Sequence, residues 1–445
     1  MRIERDFLKR LQEWKDSPRR KPLILKGVRQ CGKTWLLRHF GQGHFAGVAE
    51  FNFDKDKNLA SFFDGPCDAR RIVAQLAAYA GQPITPGKTL IFFDEIPTCP
   101  AALMALKYFC EDAPEYHVAA AGSLLGLALA AGGGAGFPVG KVDIRELMPC
   151  SFAEYLGAAE PSLREYLGTI PLAPLPEAFC GKLQARLAEY LAVGGMPAAA
   201  AAFLETQDYA AAEGELDSIL QAYEADFSRH VAAADIPKLL LIWRSIPEQF
   251  AKENRRFVYG EVRHGARAKD LEDALEWLVQ ASMARRVNAV SAPAFPLTAV
   301  MERKAFKLYP ADVGVLRQLA RIPCAAIVES ADLFADFKGR LAENLVLEQL
   351  TALGLAPICY WFNAKGQAEV DFLIQDGAEV VPLEVKSGLS LNAKSLKVYR
   401  ERYRPALAVR ASLQNLRLDD GLLNVPLYLL GELPRLLQLA REARG

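Results

Sequence analysis

A chain of 445 residues that is 51% apolar and 24% charged has the composition of a soluble protein of roughly three domains. Lys plus Arg and Asp plus Glu both total 53, so no global charge pulls the chain toward nucleic acid or an acidic membrane surface, though a local basic patch stays allowed. Eight Cys and five His without a Cys-x-x-Cys pair offer no zinc framework. With no secretory leader at Met1-Arg2-Ile3-Glu4, the thiols are expected to be reduced and the protein cytoplasmic.

Ile3 to Trp14 has apolar residues at helical spacing, and Lys15 to Lys21 is a basic connector. The apolar strand Leu23-Ile24-Leu25 then leads into Gly27-x-x-x-x-Gly32-Lys33-Thr34 and a helical pattern from Trp35. This is a phosphate-loop signature with its required strand before and helix after. Gly27 and Gly32 permit positive φ, so the N–H groups of Val28, Arg29, Gln30, Cys31 and the residues up to Trp35 can turn inward around phosphates. Lys33 would reach the β- and γ-phosphates of ATP, and the Thr34 hydroxyl would bind Mg²⁺. In the empty site Lys33 is expected to be an unpaired loop cation whose loss costs little stability. Cys31 reads as a tolerated filler, with a reactive thiol as the alternative.

A second strand, Gly47 to Phe53, is followed by a helix predicted over Leu59 to Ala80 and a turn-rich break over Pro83 to Lys88. Thr89 to Phe93 is apolar on both faces, as a central parallel strand requires, and ends in Asp94-Glu95. Asp94 would hold the Mg²⁺ water shell and Glu95 would orient or deprotonate the attacking water. The plainer alternative is a helix N-cap. A strand over Tyr116 to Ala121 ends at Gly122-Ser123, where Ser123 is either a γ-phosphate sensor or the cap of a helix over Leu124 to Ala131. Val118 to Gly140 carries no charge and is long enough to span a bilayer. Its glycines and Pro138 instead predict a strand, a short helix and a mobile loop over Gly132 to Gly136, with no membrane span. Lys141 to Leu147 gives a fifth strand.

The chain resembles the bacterial and archaeal AAA-family ATPases that carry an uncharacterised C-terminal domain. The resemblance rests on Gly27 to Thr34, Asp94-Glu95, Gly122-Ser123, Leu147 to Leu156, Tyr190 to Pro197, Ser245 to Phe250, Lys307 to Asp312 and Glu384 to Gly388. It implies an α/β protein with a P-loop AAA+ parallel sheet core over 1–150 and a helical lid over 151–235. A winged-helix domain over 236–330 and a restriction-endonuclease-like α/β domain over 331–445 would follow. It also implies ATP and Mg²⁺ as cofactors, with Glu95, Lys33 and Ser123 in catalysis. Such proteins often have Gly-Arg where this chain has Gly140-Lys141. If that arginine is a finger acting between copies of the chain, Lys141 is a weaker, non-bidentate substitute.

Residues 151–235 read as helices with a tight turn at Gly194-Gly195-Met196-Pro197, and Arg229 is either a lid arginine or a solvated charge. Helices over Lys238 to Phe250, Tyr259 to Gly265 and Lys269 to Met283, then runs at Arg285 to Val290 and Ala305 to Tyr309, resemble a winged helix. Its third helix carries Glu272, Asp273 and Glu276, which would repel phosphates. The basic cluster Lys252, Arg255, Arg256, Arg263, Arg267 and Lys269 just before it is either a DNA contact or a solvated or protein-binding face.

Beyond Leu333 a helix over Lys338 to Leu350 contains Glu343, a strand contains Asp371, and a second strand presents Glu384 and Lys386 on one face by period-two alternation. An Asp strand, Glu-x-Lys and a preceding helical Glu resemble the PD-(D/E)XK nuclease fold. There the acids bind Mg²⁺ and the lysine assists the attacking water. On that likeness Asp371 and Glu384 should converge within chelating distance, with Lys386 beside them and Glu343 behind. The alternative is a hairpin with exposed polar faces. Two function classes stand: an ATPase coupled to DNA, or an ATP-dependent switch that acts on a protein and keeps the nuclease-like domain as an inactive scaffold.

Overall fold

The computed structural model describes residues 2–65, 67–127, 140–251, 256–329, 335–363, 368–386 and 394–444. The chain divides into two compact units, one of Arg5–Met148 with Gln280–Met283, the other of the first four residues with Pro149–Val279 and Ala284–Gly445.

The first unit is a five-stranded sheet built from β1 (Leu23–Lys26), β2 (Gly47–Asn52), β3 (Thr89–Asp94), β4 (His117–Ala121) and β5 (Asp143–Glu146). The order is β2-β3-β4-β1-β5, and every pairing is parallel. Helices Phe7–Asp16, Lys33–His44, Ala69–Ala80 and Pro100–Asp112 accompany it. Every residue of β3 and β4 is buried, which fits their apolar stretches Leu90 to Phe93 and Val118 to Ala121. One core cluster gathers Phe51, Phe53, Phe63, Phe93 and Phe109 around β3. The single helix expected over Leu59 to Ala80 is two elements, a 3₁₀ stretch Lys57–Phe63 and the helix Ala69–Ala80. Gly65 turns with φ 82°, and the Asp68 carboxylate then caps the new helix by accepting from the N–H groups of Arg70 and Arg71. The mobile loop expected over 132–136 lies outside the described residues. Among the described residues no helix is long and apolar enough to cross a membrane.

The second unit begins with helices Phe152–Ala159, Pro161–Leu167, Glu177–Val193, Pro197–Thr206, Tyr209–His230 and Ile236–Ala251. Ser151 and Glu154 form a reciprocal capping box at the first. The turn at Gly194 has no room for a side chain, since a Cβ there would lie 2.3 Å from Asp312 Oδ2. Asp312 is wholly buried and accepts from Gly195 N at 2.6 Å and Val315 N at 3.0 Å, tying the helices to the strand before it. Helix Ala268–Gln280 follows. Then come β6 (Ala284–Val290), β7 (Glu302–Pro310), β8 (Ile358–Phe362), β9 (Glu369–Asp376), β10 (Glu379–Val385), β11 (Ala408–Ser412), β12 (Arg417–Asp419) and β13 (Leu422–Pro426). These form one eight-stranded sheet, β12-β13-β11-β10-β9-β8-β6-β7. The pair expected to be wing strands is antiparallel, and β6 also pairs in parallel with β8, so the sheet runs across the division expected at residue 330.

Candidate functional site

Parallel strands place their C-terminal ends together, and ligands of open α/β sheets bind at such ends. Leu25 of β1 aligns with Ala121 of β4, and Phe93 of β3 with Ala120. The segments that follow, Gly27 to Thr34, Asp94-Glu95 and Gly122-Ser123, therefore emerge side by side. Gly27, Gln30 and Gly32 take φ of 148°, 65° and 95°, so the loop curls as an anion nest. A Cβ on Gly27 would lie 2.3 Å from Leu147 O, so only glycine fits there. Helix Lys33–His44 starts straight after the loop, with Gly32 at its N-cap, and points its N-terminal dipole into the curl.

Lys33 is not the unpaired cation expected. Its ammonium donates to the carbonyls of Gly27 at 2.8 Å and Val28 at 2.9 Å, and the residue is buried. A flexible four-carbon stem lets it fold back over its own loop, where the ammonium offsets the carbonyl dipoles. Cys31 is fully buried, with its thiol 3.5 Å from Leu147 O. Trp35 is 40% exposed and stacks on His39 with ring centroids 5.1 Å apart.

Thr34 Oγ1 donates to Asp94 Oδ1 at 3.0 Å, and Asn52 Nδ2 donates to Asp94 Oδ2 at 2.8 Å. Burial raises the Asp94 pKa, the bond from Thr34 opposes that rise, and the charge of Glu95 adds to it. Glu95 is a non-glycine residue at φ 50°, a strained conformation that costs of order 1–3 kcal/mol and clusters at functional sites. Its side chain is held by Ser123, whose hydroxyl donates to Oε1 at 3.1 Å and whose N–H donates to Oε2 at 3.3 Å. Gly122 is obligatory beside it, because a Cβ would lie 2.3 Å from Pro97.

Two residues of this site were absent from the sequence reading. Asn52 ends β2 in register with Asp94, and its Oδ1 accepts from the N–H groups of Asp54 and Lys55, which fixes the amide. Its signal was faint: a polar residue at the tip of the strand neighbouring the acidic pair. Arg5 is buried and donates to Cys31 O at 3.0 Å and Met148 O at 2.6 Å, bracing the loop from beneath. Nothing local in the sequence distinguishes that arginine from surface ones. Lys141 forms an exposed ion pair with Glu111 at 2.9 Å.

In the second unit Arg229 is exposed near the end of its helix, and so are Arg263, Arg267 and Lys269. Arg256 lies over the Phe362 ring at 3.8 Å, while Lys252 and Arg255 fall outside the described residues. Phe372 pairs with Leu383 across β9 and β10, so Asp371 and Glu384 lie together on the sheet's other face. Asp371 Oδ2 accepts from Val385 N at 2.8 Å, and Lys386 Nζ lies 2.9 Å from Glu384 Oε1. Glu343 is 2% exposed and engages Lys307 at 2.9 Å and the Tyr309 hydroxyl at 2.5 Å. Among the described residues no group of three or more His, Cys, Asp or Glu is arranged to hold a metal ion.

Residues 19–156 match the AAA domain family. Residues 184–325 and 338–430 match two domains of unknown function, DUF8612 and DUF4143. No curated protein matches the chain. The Walker-type ATPase PABY2304 of Pyrococcus abyssi aligns with 72% of this chain and 96% of its own at 17% identity, with a TM-score of 0.46. The Aeropyrum pernix ORC2 protein, in ADPNP–ADP complexes, aligns over 73% and 89% at 13% identity and a TM-score of 0.35. The Aeropyrum pernix ORC1 protein in complex with DNA aligns over 72% and 92% at 13% identity and a TM-score of 0.28. Likeness at this level carries no functional weight. The nucleotide site rests on the AAA domain match and on its own geometry.

Proposed function

We propose, on the premise that residues 19–156 form an ATP-binding AAA domain, that the chain is a Mg²⁺-dependent ATP hydrolase working as a switch. The observation that carries this reading is the meeting of the glycine loop, the Thr34–Asp94 pair at 3.0 Å and the Ser123–Glu95 pair at 3.1 Å at neighbouring strand ends. A hydroxyl beside a buried carboxylate suits Mg²⁺, which takes one or two protein oxygens and completes its shell with water and substrate phosphates. When bound, the ion would neutralise charge building on the β- and γ-phosphates.

Lys33 exchanges its two loop carbonyls for phosphate oxygens when ATP enters. Val28 to Trp35 supply backbone N–H groups to the phosphates. Glu95 takes a proton from water as its oxygen attacks the γ-phosphorus, and ADP departs with the bridging electron pair. Ser123 holds Glu95 aside until a γ-phosphate oxygen accepts its hydroxyl, so hydrolysis waits for the complete nucleotide. Residues 151–235 serve as the helical lid, and residues 236–445 act on the partner.

DNA is one partner class, supported by exposed Arg263 and Arg267 ahead of the acidic helix and Lys269 in its first turn. A protein partner, with the nuclease-like region as a scaffold, is favoured by the ion-paired state of Glu343 and Glu384. ATP turnover should be measured with and without duplex DNA, with nicks scored in Mg²⁺ and Mn²⁺. No calorimetric nucleotide binding would overturn the ATPase reading. Turnover insensitive to DNA would remove the DNA reading and leave the protein-directed one.

A further inference from the structure

The nuclease likeness expects a divalent ion among Glu343, Asp371 and Glu384, and the side chains present do not fit one. The ammonium of Lys307, on β7, lies 2.9 Å from Glu343 Oε1 and 2.7 Å from Glu369 Oε1. Lys307 is 1% exposed and Glu343 2%, so this is an interior ion pair rather than a surface one. The Tyr309 hydroxyl donates to the same Glu343 oxygen, Arg340 reaches within 3.9 Å of the other, and the Tyr360 ring lies 4.9 Å from the ammonium. Two carboxylates thus face one lysine and one arginine, and the local charge is already balanced. Removing one member of such a buried set leaves an uncompensated charge, so the set is self-consistent only as found. Further along the face, Glu384 is paired with Lys386 at 2.9 Å and sits in register with Arg410 of the next strand.

A Mg²⁺ or Mn²⁺ ion bound to Glu343 Oε1 would sit roughly 2.0–2.2 Å from it. The ammonium already fills that side of the oxygen, and two cations in one buried space would repel strongly. We infer that Lys307 is a built-in counter-ion that takes the place a metal would need, so that this face binds no divalent cation in the native chain and performs no metal-dependent cleavage. The inference does not rest on the ATPase reading, because it concerns residues of the other unit alone.

The test is a Mn²⁺ titration followed by electron paramagnetic resonance. The full chain would carry Asp94→Asn, which removes the metal position expected at the nucleotide loop. With Lys307 in place, no saturable Mn²⁺ site should appear up to millimolar ion. With Lys307→Met added, Glu343 and Glu369 are left facing each other across a vacated cation position. One saturable site should then appear and disappear again with Glu343→Gln. A folded Lys307→Met protein, judged by circular dichroism, that gains no site would overturn the inference. So would a saturable site in the lysine-containing chain that is lost on Asp371→Ala or Glu343→Gln. If Lys307→Met does not fold, the lysine-containing chain decides alone. Absence of a site upholds the inference, and an Asp371- or Glu343-dependent site refutes it.

Discussion

Replacing Lys33 with Met tests whether the lysine is a structural clasp as well as a phosphate ligand. Met keeps the length of the stem and removes the ammonium that donates to Gly27 O at 2.8 Å and Val28 O at 2.9 Å. A hydrogen bond from a charged donor is worth about 1.5–3 kcal/mol. Against two such bonds stands the regained desolvation of a buried ammonium, while Gly27 and Val28 are themselves buried. The balance should be a loss of about 1–2 kcal/mol in the nucleotide-free protein. For a unit of this size that lowers the melting temperature by about 2–8 °C. Differential scanning calorimetry without nucleotide reads this directly. The same scans with ATP give a second reading: a ligand at one hundred times its Kd stabilises the native chain by about 2.7 kcal/mol, and the variant should gain almost nothing. An unchanged nucleotide-free melting temperature would refute the clasp, and an undiminished response to ATP would refute the phosphate role.

Glu95→Gln should bind ATP normally and hydrolyse it about 10²–10⁴-fold more slowly in a single-turnover assay, because the amide keeps the shape but cannot take the proton. Asn52→Ala should leave the fold intact, judged by circular dichroism, and weaken Mg²⁺-dependent ATP binding about tenfold, since Asp94 Oδ2 loses its 2.8 Å donor. His117 is packed against Trp14 and Phe45, and burial, then the charge of Arg20, lowers its pKa from 6.5 to about 4. The unfolded chain therefore binds the proton first, so this contribution is complete above pH 6.5 and is lost as the pH falls toward about 4. Melting temperatures measured across that interval should decline less in His117→Gln than in the native chain.

The phosphate loop, the acidic pair and the strand that presents Ser123 were legible because each is a local signal: residue types at fixed spacing beside an apolar run. The sheet order adds what spacing alone lacks, that β1 lies between β4 and β5 and so brings Gly27 and Ser123 to neighbouring ends. Asn52 and Arg5 were illegible because their roles depend on partners 42 residues and 26 or 143 residues away. Lys33 was expected to be unpaired and is not, since a motif names a ligand's destination and not where the side chain rests otherwise. In the second unit the Glu-x-Lys strand and its companions were visible. Lys307 was not connected to them, because it belongs to a strand distant in sequence and stands there only as the first residue of the Lys307 to Asp312 segment.

The parallel pairing of β6 with β8 has a consequence for how the second unit can be made. Asn288 aligns with Cys359 and Val290 with Trp361, so a ladder early in this unit is completed only after some seventy further residues have been added. During synthesis β6 and β7 leave the ribosome as a two-stranded ribbon whose β6 edge, later covered by β8, is still bare, and such ribbons are marginal in water. A fragment ending near residue 330 would carry that edge permanently, presenting Val287, Ala289 and Val290 beside unsatisfied backbone donors and acceptors. It would be a template for pairing with another copy rather than a free-standing module. A stable piece of this unit that includes β6 must therefore run on at least through β8.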